Sequence, residues 1–163
     1  MVEAIRAGLS PFCDELEIPD RPELRALFGI QHLESPIHGR LVEASGSRGC
    51  PDILEIVEAL HPTPAVCGVP AAAARDWLRN FEGLSRGWYA APVGWLDLEG
   101  GGEFCVALRS ALIRNRAATR RTPPGGRAIL FAGAGIVSGS QPEAELAETR
   151  IKLRALLAPL TEI

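Results

Sequence analysis

The sequence predicts an α+β fold, with antiparallel strands and helices packed on them. Three observations predict it. Apolar residues recur at helical spacing in segments near both ends and in the middle of the chain. Between residues 88 and 131 the pattern changes to strand composition. Its first two strands are joined by a glycine-rich turn short enough for antiparallel neighbours. At 163 residues the chain fits one domain, or part of a larger one.

Taken in order, residues 2–16 read as a helix with Ile5, Leu9, Phe12 and Leu16 on one face, so the chain opens inside a helix with no leader before it. Glu17 to Arg21 is a turn. Leu24 to Ile30 is a short apolar strand, and Gln31 to Leu41 alternates as a strand broken at Pro36. Ala44 to Pro51 is a Ser/Gly loop. Asp52 to Leu60 is a helix burying Ile53, Ile56, Val57 and Leu60, ended by His61-Pro62-Thr63-Pro64 because a residue before proline avoids helical geometry. Ala65 to Pro70 forms a tight turn. Ala71 to Phe81 is helical, with Trp77, Leu78 and Phe81 as core anchors. Trp88 to Leu96 and Glu103 to Ile113 are strands flanking the turn Leu98 to Gly102, and Arg127 to Phe131 is a third. The last helix runs to about Leu157, before Pro159.

Composition narrows the function. Apolar residues at 47% and charged residues at 23% are ordinary for a globular protein, and the net charge of −3 offers no basic stripe for nucleic acid. The arginines at 114, 116, 120 and 121 sit beside Thr-Pro-Pro-Gly-Gly and read as a polar hairpin tip. No apolar run could span a bilayer and no signal peptide opens the chain, so a cytoplasmic location is expected. Cys13, Cys50, Cys67 and Cys105 are scattered without a CxxC pair, which favours reduced thiols over a zinc site or disulfides.

Chemistry concentrates between Gly133 and Lys152, in GAGIVSGSQPEAELAETRIK. Ser140-Gln141-Pro142-Glu143 fits a capping box, with proline in the first helical turn. Glu145, Glu148 and Lys152 then share one helix face. Such spacing ordinarily marks a solvated, salt-bridged surface. One fact favours more: of 17 Lys and Arg residues, Lys152 is the only lysine, as though a compact ammonium were needed there. Gly133 and Gly135 would let backbone amides approach a ligand. Two carboxylates suit a hard cation such as Mg²⁺. Arg109, inside the apolar strand VALRSALI, must either face solvent or meet an anion. Together these groups would hold a small polycarboxylate and a bridging metal. His61 reads as a helix-end histidine, and His32 and Tyr89 as structural residues, on spacing alone.

Five stretches carry a resemblance: QHLESPIHGRL (31–41), HPTPAVCGVP (61–70), RGWYAAPVGWLD (86–97), ALRSALI (107–113) and FAGAGIVSGSQPEAELAETRIK (131–152). In type and order they are similar to the chorismate-utilising enzymes, and Ala65 in HPTPAV resembles the isochorismate synthase branch, where the salicylate and anthranilate branches tend to have threonine. The resemblance implies Mg²⁺-dependent interconversion of chorismate and isochorismate, in a menaquinone or siderophore pathway. It implies Glu148 as a Mg²⁺ ligand and Glu145 as a second carboxylate near the metal. It further implies Arg109, Gly133 and Lys152 as contacts to substrate carboxylates, and Tyr89, Ala65 and His32 as pocket lining, with His61 at the edge.

The chain resembles only the C-terminal part of that catalytic domain, residues 1–163 corresponding to it with the N-terminal part missing. The base lysine and acid glutamate of the family lie in that missing part, so no catalytic acid or base is assigned here. The expected consequences are an incomplete sheet with exposed apolar edges, inactivity in isolation, and a complementary N-terminal chain as partner. The alternatives are a non-catalytic chorismate-binding or interaction module, or another branch of the family, salicylate or anthranilate synthase. Ala91 also departs from the family, where a glycine is common.

Overall fold

The computed structural model describes residues 1–27, 30–43, 49–117 and 125–161. The order of elements is α1 (Val2–Leu9), β1 (Cys13–Glu17), β2 (Glu23–Leu27), β3 (Ile30–Glu34), β4 (His38–Leu41), α2 (Ile53–Leu60), α3 (Ala71–Phe81), β5 (Pro92–Leu96), β6 (Gly102–Val106), β7 (Ser110–Arg116), β8 (Gly125–Phe131) and α4 (Pro142–Thr161). The fold is α+β, as expected. The strands pair as four two-stranded ladders, β1–β4, β2–β3, β5–β6 and β7–β8. No described helix is long and apolar enough to cross a membrane. The four cysteines are free thiols.

Two compact units emerge. The first comprises Met1–Gly83 and Gly94–Cys105. Its first helix is shorter than the periodicity predicts: α1 stops at Leu9, where the Ser10 hydroxyl donates to the Arg6 carbonyl at 2.7 Å, and residues 13–17 pair with β4 instead. Tertiary pairing overrides the apolar spacing of Phe12 and Leu16. Val2, Ile5 and Leu9 form the less exposed face of α1, and Ile53, Ile56, Val57 and Leu60 that of α2. The two helices pack together at Gly8, where a Cβ would stand 2.9 Å from Leu60 Cδ2. Gly39 does the same for β1 and β4, since a Cβ there would meet Cys13 Sγ at 2.8 Å.

The helix cap with both reciprocal bonds lies at α2. The Asp52 carboxylate accepts from the backbone N–H groups of Leu54 and Glu55 at 2.8 and 3.0 Å, and the Glu55 carboxylate accepts from the Asp52 N–H at 3.1 Å. Trp77 and Phe81 are not the core anchors expected of α3: both are exposed, 5.6 Å apart, and rest on each other. Leu33 is likewise 72% exposed.

The second unit comprises Leu84–Val93 and Val106–Ile163. β7 and β8 pair in continuous antiparallel register from Ser110↔Phe131 to Arg116↔Gly125, and α4 packs against β8. Arg114 stands opposite Arg127 near the hairpin end, while Arg120 and Arg121 of the expected polar tip lie outside the described residues, as do residues 44–48 of the Ser/Gly loop. The helix α4 passes Leu157 and includes Pro159. Among the described residues only Ala90 is buried, and Trp88 is 79% exposed.

The cap at α2 gives a direct stability test. Asp52→Ala removes two backbone hydrogen bonds and lowers stability by about 1 kcal/mol, whereas Asp52→Ser retains most of it. Urea denaturation followed by circular dichroism reads both; equal midpoints for wild type and Asp52→Ala would exclude a working cap.

Candidate functional site

Arg109 does not lie in a strand. The predicted strand over 103–113 divides into β6 and β7, with Ala107–Arg109 between them. The Leu108 N–H donates to the Val106 carbonyl at 2.7 Å, a tight turn, and Arg109 follows with φ at 47°. Ala90 has φ at 63°. The two left-handed positions belong to one backbone knot. Ala90 N–H donates to the Ala107 carbonyl at 3.0 Å, and Ala107 N–H donates to the Ala91 carbonyl at 2.9 Å. Each costs a non-glycine residue about 1–2 kcal/mol. Such conformations persist only where surrounding structure fixes them, and they gather at functional sites. Ala91, where a glycine is common in the resembling family, is not left-handed; Ala90 carries the strain.

Tyr89 also leaves the strand predicted for it. It lies in a turn closed by its own N–H donating to Arg86 O at 2.8 Å and by Ala91 N–H donating to Trp88 O at 3.1 Å. Its ring stacks on Phe131 at 5.5 Å and 17°, and the Arg86 guanidinium stands over it at 5.8 Å. A Cβ at Gly133 would meet Tyr89 Oη at 2.5 Å, so a side chain there would displace the Tyr89 hydroxyl. Gly135 faces open space. A cleft of about 690 Å³ opens in this unit between the 85–89 turn and the β7–β8 ladder, with Trp88, Leu112, Ile129 and Phe131 among its walls.

Residues 137–141 close differently from the expected capping box. Val137 N–H donates to Ser140 Oγ at 3.1 Å and Ser140 N–H to the Val137 carbonyl at 3.0 Å, a reciprocal loop closure. The helix therefore starts one residue later, with Pro142 in its first position. Glu145 and Lys152 are half-buried and Glu148 is exposed. Lys152 Nζ donates to the Gly133 carbonyl at 3.0 Å and meets Glu148 Oε1 at 2.6 Å. The hydrogen bond and charge of Lys152 hold the Glu148 carboxyl below the usual glutamate range, slight desolvation opposes them, and the Arg109 charge adds to the lowering. Gly133, Glu148 and Lys152 are thus brought together, with Tyr89 against Gly133 and the Arg109 charge felt at Glu148.

Three expected residues lie in the first unit. His32 pairs with Arg25 across β2 and β3 and is exposed. Ala65 is exposed in the turn where the Thr63 carbonyl accepts from Val66 and Cys67 N–H at 3.1 Å each. His61 caps the C-terminal end of α2, its N–H donating to Val57 O at 2.9 Å; burial lowers its pKa below the usual imidazole value, which favours the neutral ring. Sequence spacing did not single out Arg86 or Phe131. The legible signal was Arg86 three residues before the sole tyrosine.

The donor chemistry fits a hard divalent cation. Glu145 and Glu148 are carboxylates one helical turn apart, and Mg²⁺ commonly takes one or two carboxylates and completes its shell with waters and substrate oxygens. Among the described residues no third His, Cys, Asp or Glu joins them in a metal-binding group.

Two predictions follow from this geometry. Replacing Ala90 by glycine relieves a left-handed side chain, partly offset by the entropy of glycine, and raises stability by roughly 0.5–1 kcal/mol in urea; destabilisation would place the value of Ala90 in its methyl packing instead. The second concerns pH. A carboxyl whose pKa is lower folded than unfolded contributes stability that is present above the ordinary glutamate range and is lost as pH falls through the depressed folded value. Carbon-13 NMR titration of Glu148 gives a midpoint below the ordinary glutamate value, and Lys152→Met moves it upward; an unmoved midpoint would show the pair does not form in solution.

Relatives share this sequence along its length. The sequence profile of the chorismate binding enzyme family matches residues 1–161. The salicylate biosynthesis isochorismate synthase of Pseudomonas aeruginosa is 52% identical over 163 residues, covering 100% of this chain and 31% of that protein. Isochorismate synthase MenF of Bacillus subtilis is 45% identical over 148 residues, covering 91% of this chain and 28% of that protein. A crystal structure assigned as a 2,3-dihydroxybenzoate-specific isochorismate synthase, DhbC, of Bacillus anthracis superposes with a TM-score of 0.80 at 36% identity, covering 98% of this chain and 38% of that one. The chain spans about a third of the length of the relatives it matches. With its profile matched almost end to end and its fold shared, the chain belongs to the chorismate binding enzyme family.

Proposed function

We propose that this chain carries the substrate-carboxylate and magnesium portion of an isochorismate synthase, an isomerase that interconverts chorismate and isochorismate in the cytoplasm. The observation that carries the reading is the meeting of Lys152 with Glu148 on α4 and with the Gly133 carbonyl just past β8, with the Arg109 charge acting on the same carboxylate. Two cations of different shape suit a dicarboxylic substrate: the Arg109 guanidinium can take a carboxylate by two parallel N–H bonds, and the Lys152 ammonium adds a movable donor. Backbone amides of the 133–135 turn complete that cradle. Tyr89 lines it. Glu148, held ionised, and Glu145 would hold Mg²⁺, which when bound supplies positive charge at a substrate oxygen as the C4 hydroxyl leaves and water adds.

Lys152 is the only lysine and is already held by Gly133 and Glu148, so it is not free to serve as the base that activates water. General acid and base groups contribute typically about 10²–10⁴-fold each. The reading therefore has this chain bind chorismate without turning it over unless a complementary chain supplies those groups.

Calorimetric titration of chorismate into the 163-residue chain, with and without Mg²⁺, tests this. Binding that needs Mg²⁺ and is lost in Glu148→Gln is the expected result, with no isochorismate formed by chromatography. Turnover by the chain alone would overturn the division of labour, and no binding to folded protein would overturn the site itself. Binding that ignores both Mg²⁺ and Glu148→Gln would favour a non-catalytic chorismate-binding module.

A further inference from the structure

We infer that Arg86 is a positioning residue for the carboxylate cradle, acting through Tyr89; this rests on reading Gly133 and Lys152 as substrate contacts. The chain of contacts lies within the second unit. The Arg86 guanidinium stands 5.8 Å from the Tyr89 ring centroid, and Phe131 stacks on the same ring at 5.5 Å. Arg86 and Tyr89 are also joined through the backbone, Tyr89 N–H donating to the Arg86 carbonyl at 2.8 Å. The ring is thus tethered from the turn and from the last residue of β8. Its hydroxyl stands against Gly133 so closely that even a methyl group there would stand 2.5 Å from it. Gly133 in turn presents the carbonyl that holds Lys152 Nζ at 3.0 Å. A tilt of the Tyr89 ring therefore moves the surface on which Gly133 rests, and with it the lysine.

Arginine suits this role better than an aliphatic residue. A planar guanidinium attracts the π-face of tyrosine while remaining weakly hydrated, so it can restrain the ring without withdrawing into solvent. Arg86 need not touch the substrate. Its effect is to reduce the number of orientations open to Tyr89 before a ligand arrives, which spares ordering cost on binding.

Tyr89 is the sole tyrosine, so one set of tyrosine ring signals reports it. Selective tyrosine labelling and aromatic NMR on the full chain, with backbone amide spectra to verify folding, read the tether directly. Arg86→Met moves the Tyr89 signals toward free-tyrosine values, and Arg86→Lys, which keeps the cation, holds them near wild type. Chorismate affinity in the presence of Mg²⁺ falls about two- to five-fold in Arg86→Met, equivalent to about 0.5–1 kcal/mol, and recovers in Arg86→Lys. Should Arg86→Met not fold, Gly133→Ala disturbs the same ring from its hydroxyl end and shifts the same signals. Tyr89 signals unchanged in Arg86→Met, or in Gly133→Ala where that variant is needed, would overturn the inference, and so would equal losses in Arg86→Met and Arg86→Lys. If wild type binds no chorismate, the functional reading fails while the Tyr89 spectra still decide the tether.

Discussion

The bond from Lys152 to the Gly133 carbonyl is the constraint on which the candidate site depends. It ties α4, about three turns into the helix, back to Gly133, two residues past the end of β8, across 19 positions of sequence. The Lys152 side chain is only 22% exposed and Glu148 meets its ammonium from one helical turn away, so the lysine has two fixed partners and little freedom. A lysine suits this arrangement, because its compact ammonium carries three rotatable donors that can be divided between a backbone carbonyl and a carboxylate one turn back. The solitary lysine of an arginine-rich sequence thus has a structural explanation as well as a chemical one.

A second constraint is strained backbone. The chain carrying Arg109 leaves β6, turns tightly and passes through a left-handed residue before β7 begins. The knot of hydrogen bonds among Ala90, Ala91 and Ala107 holds that turn, and Ala90 at its centre is the buried residue among those described. A continuous ladder would have cost less and would have placed the guanidinium on a sheet face. The strain is local and is offset by bonds that a straight strand would not make.

Large apolar side chains elsewhere are open to solvent in both units, including Leu33, Trp77, Phe81, Trp88, Ile136 and Ile151. Exposure on this scale marks surfaces suited to further contact. Stability here rests on paired elements, α1 with α2 and α4 with β8, more than on one continuous core.

Much of this was legible in the sequence. Local chemistry determined α2, α3, the break at Pro36, the glycine turn before β6, the proline start of α4 and the row Glu145, Glu148, Lys152. Each follows from periodicity or turn residues acting over a few positions. Capping was legible in principle, but Asp52-x-x-Glu55 competed with Ser140-x-x-Glu143, and only the fold decided that Ser140 would close a loop. Strand identity for residues 13–17, the division of 103–113, the turn that holds Tyr89 and the steric need for glycine at 133 were decided by tertiary structure. Pairing with β4, a left-handed backbone at Arg109 and a tyrosine hydroxyl 44 positions upstream act between residues far apart in sequence, where spacing along the chain carries no signal.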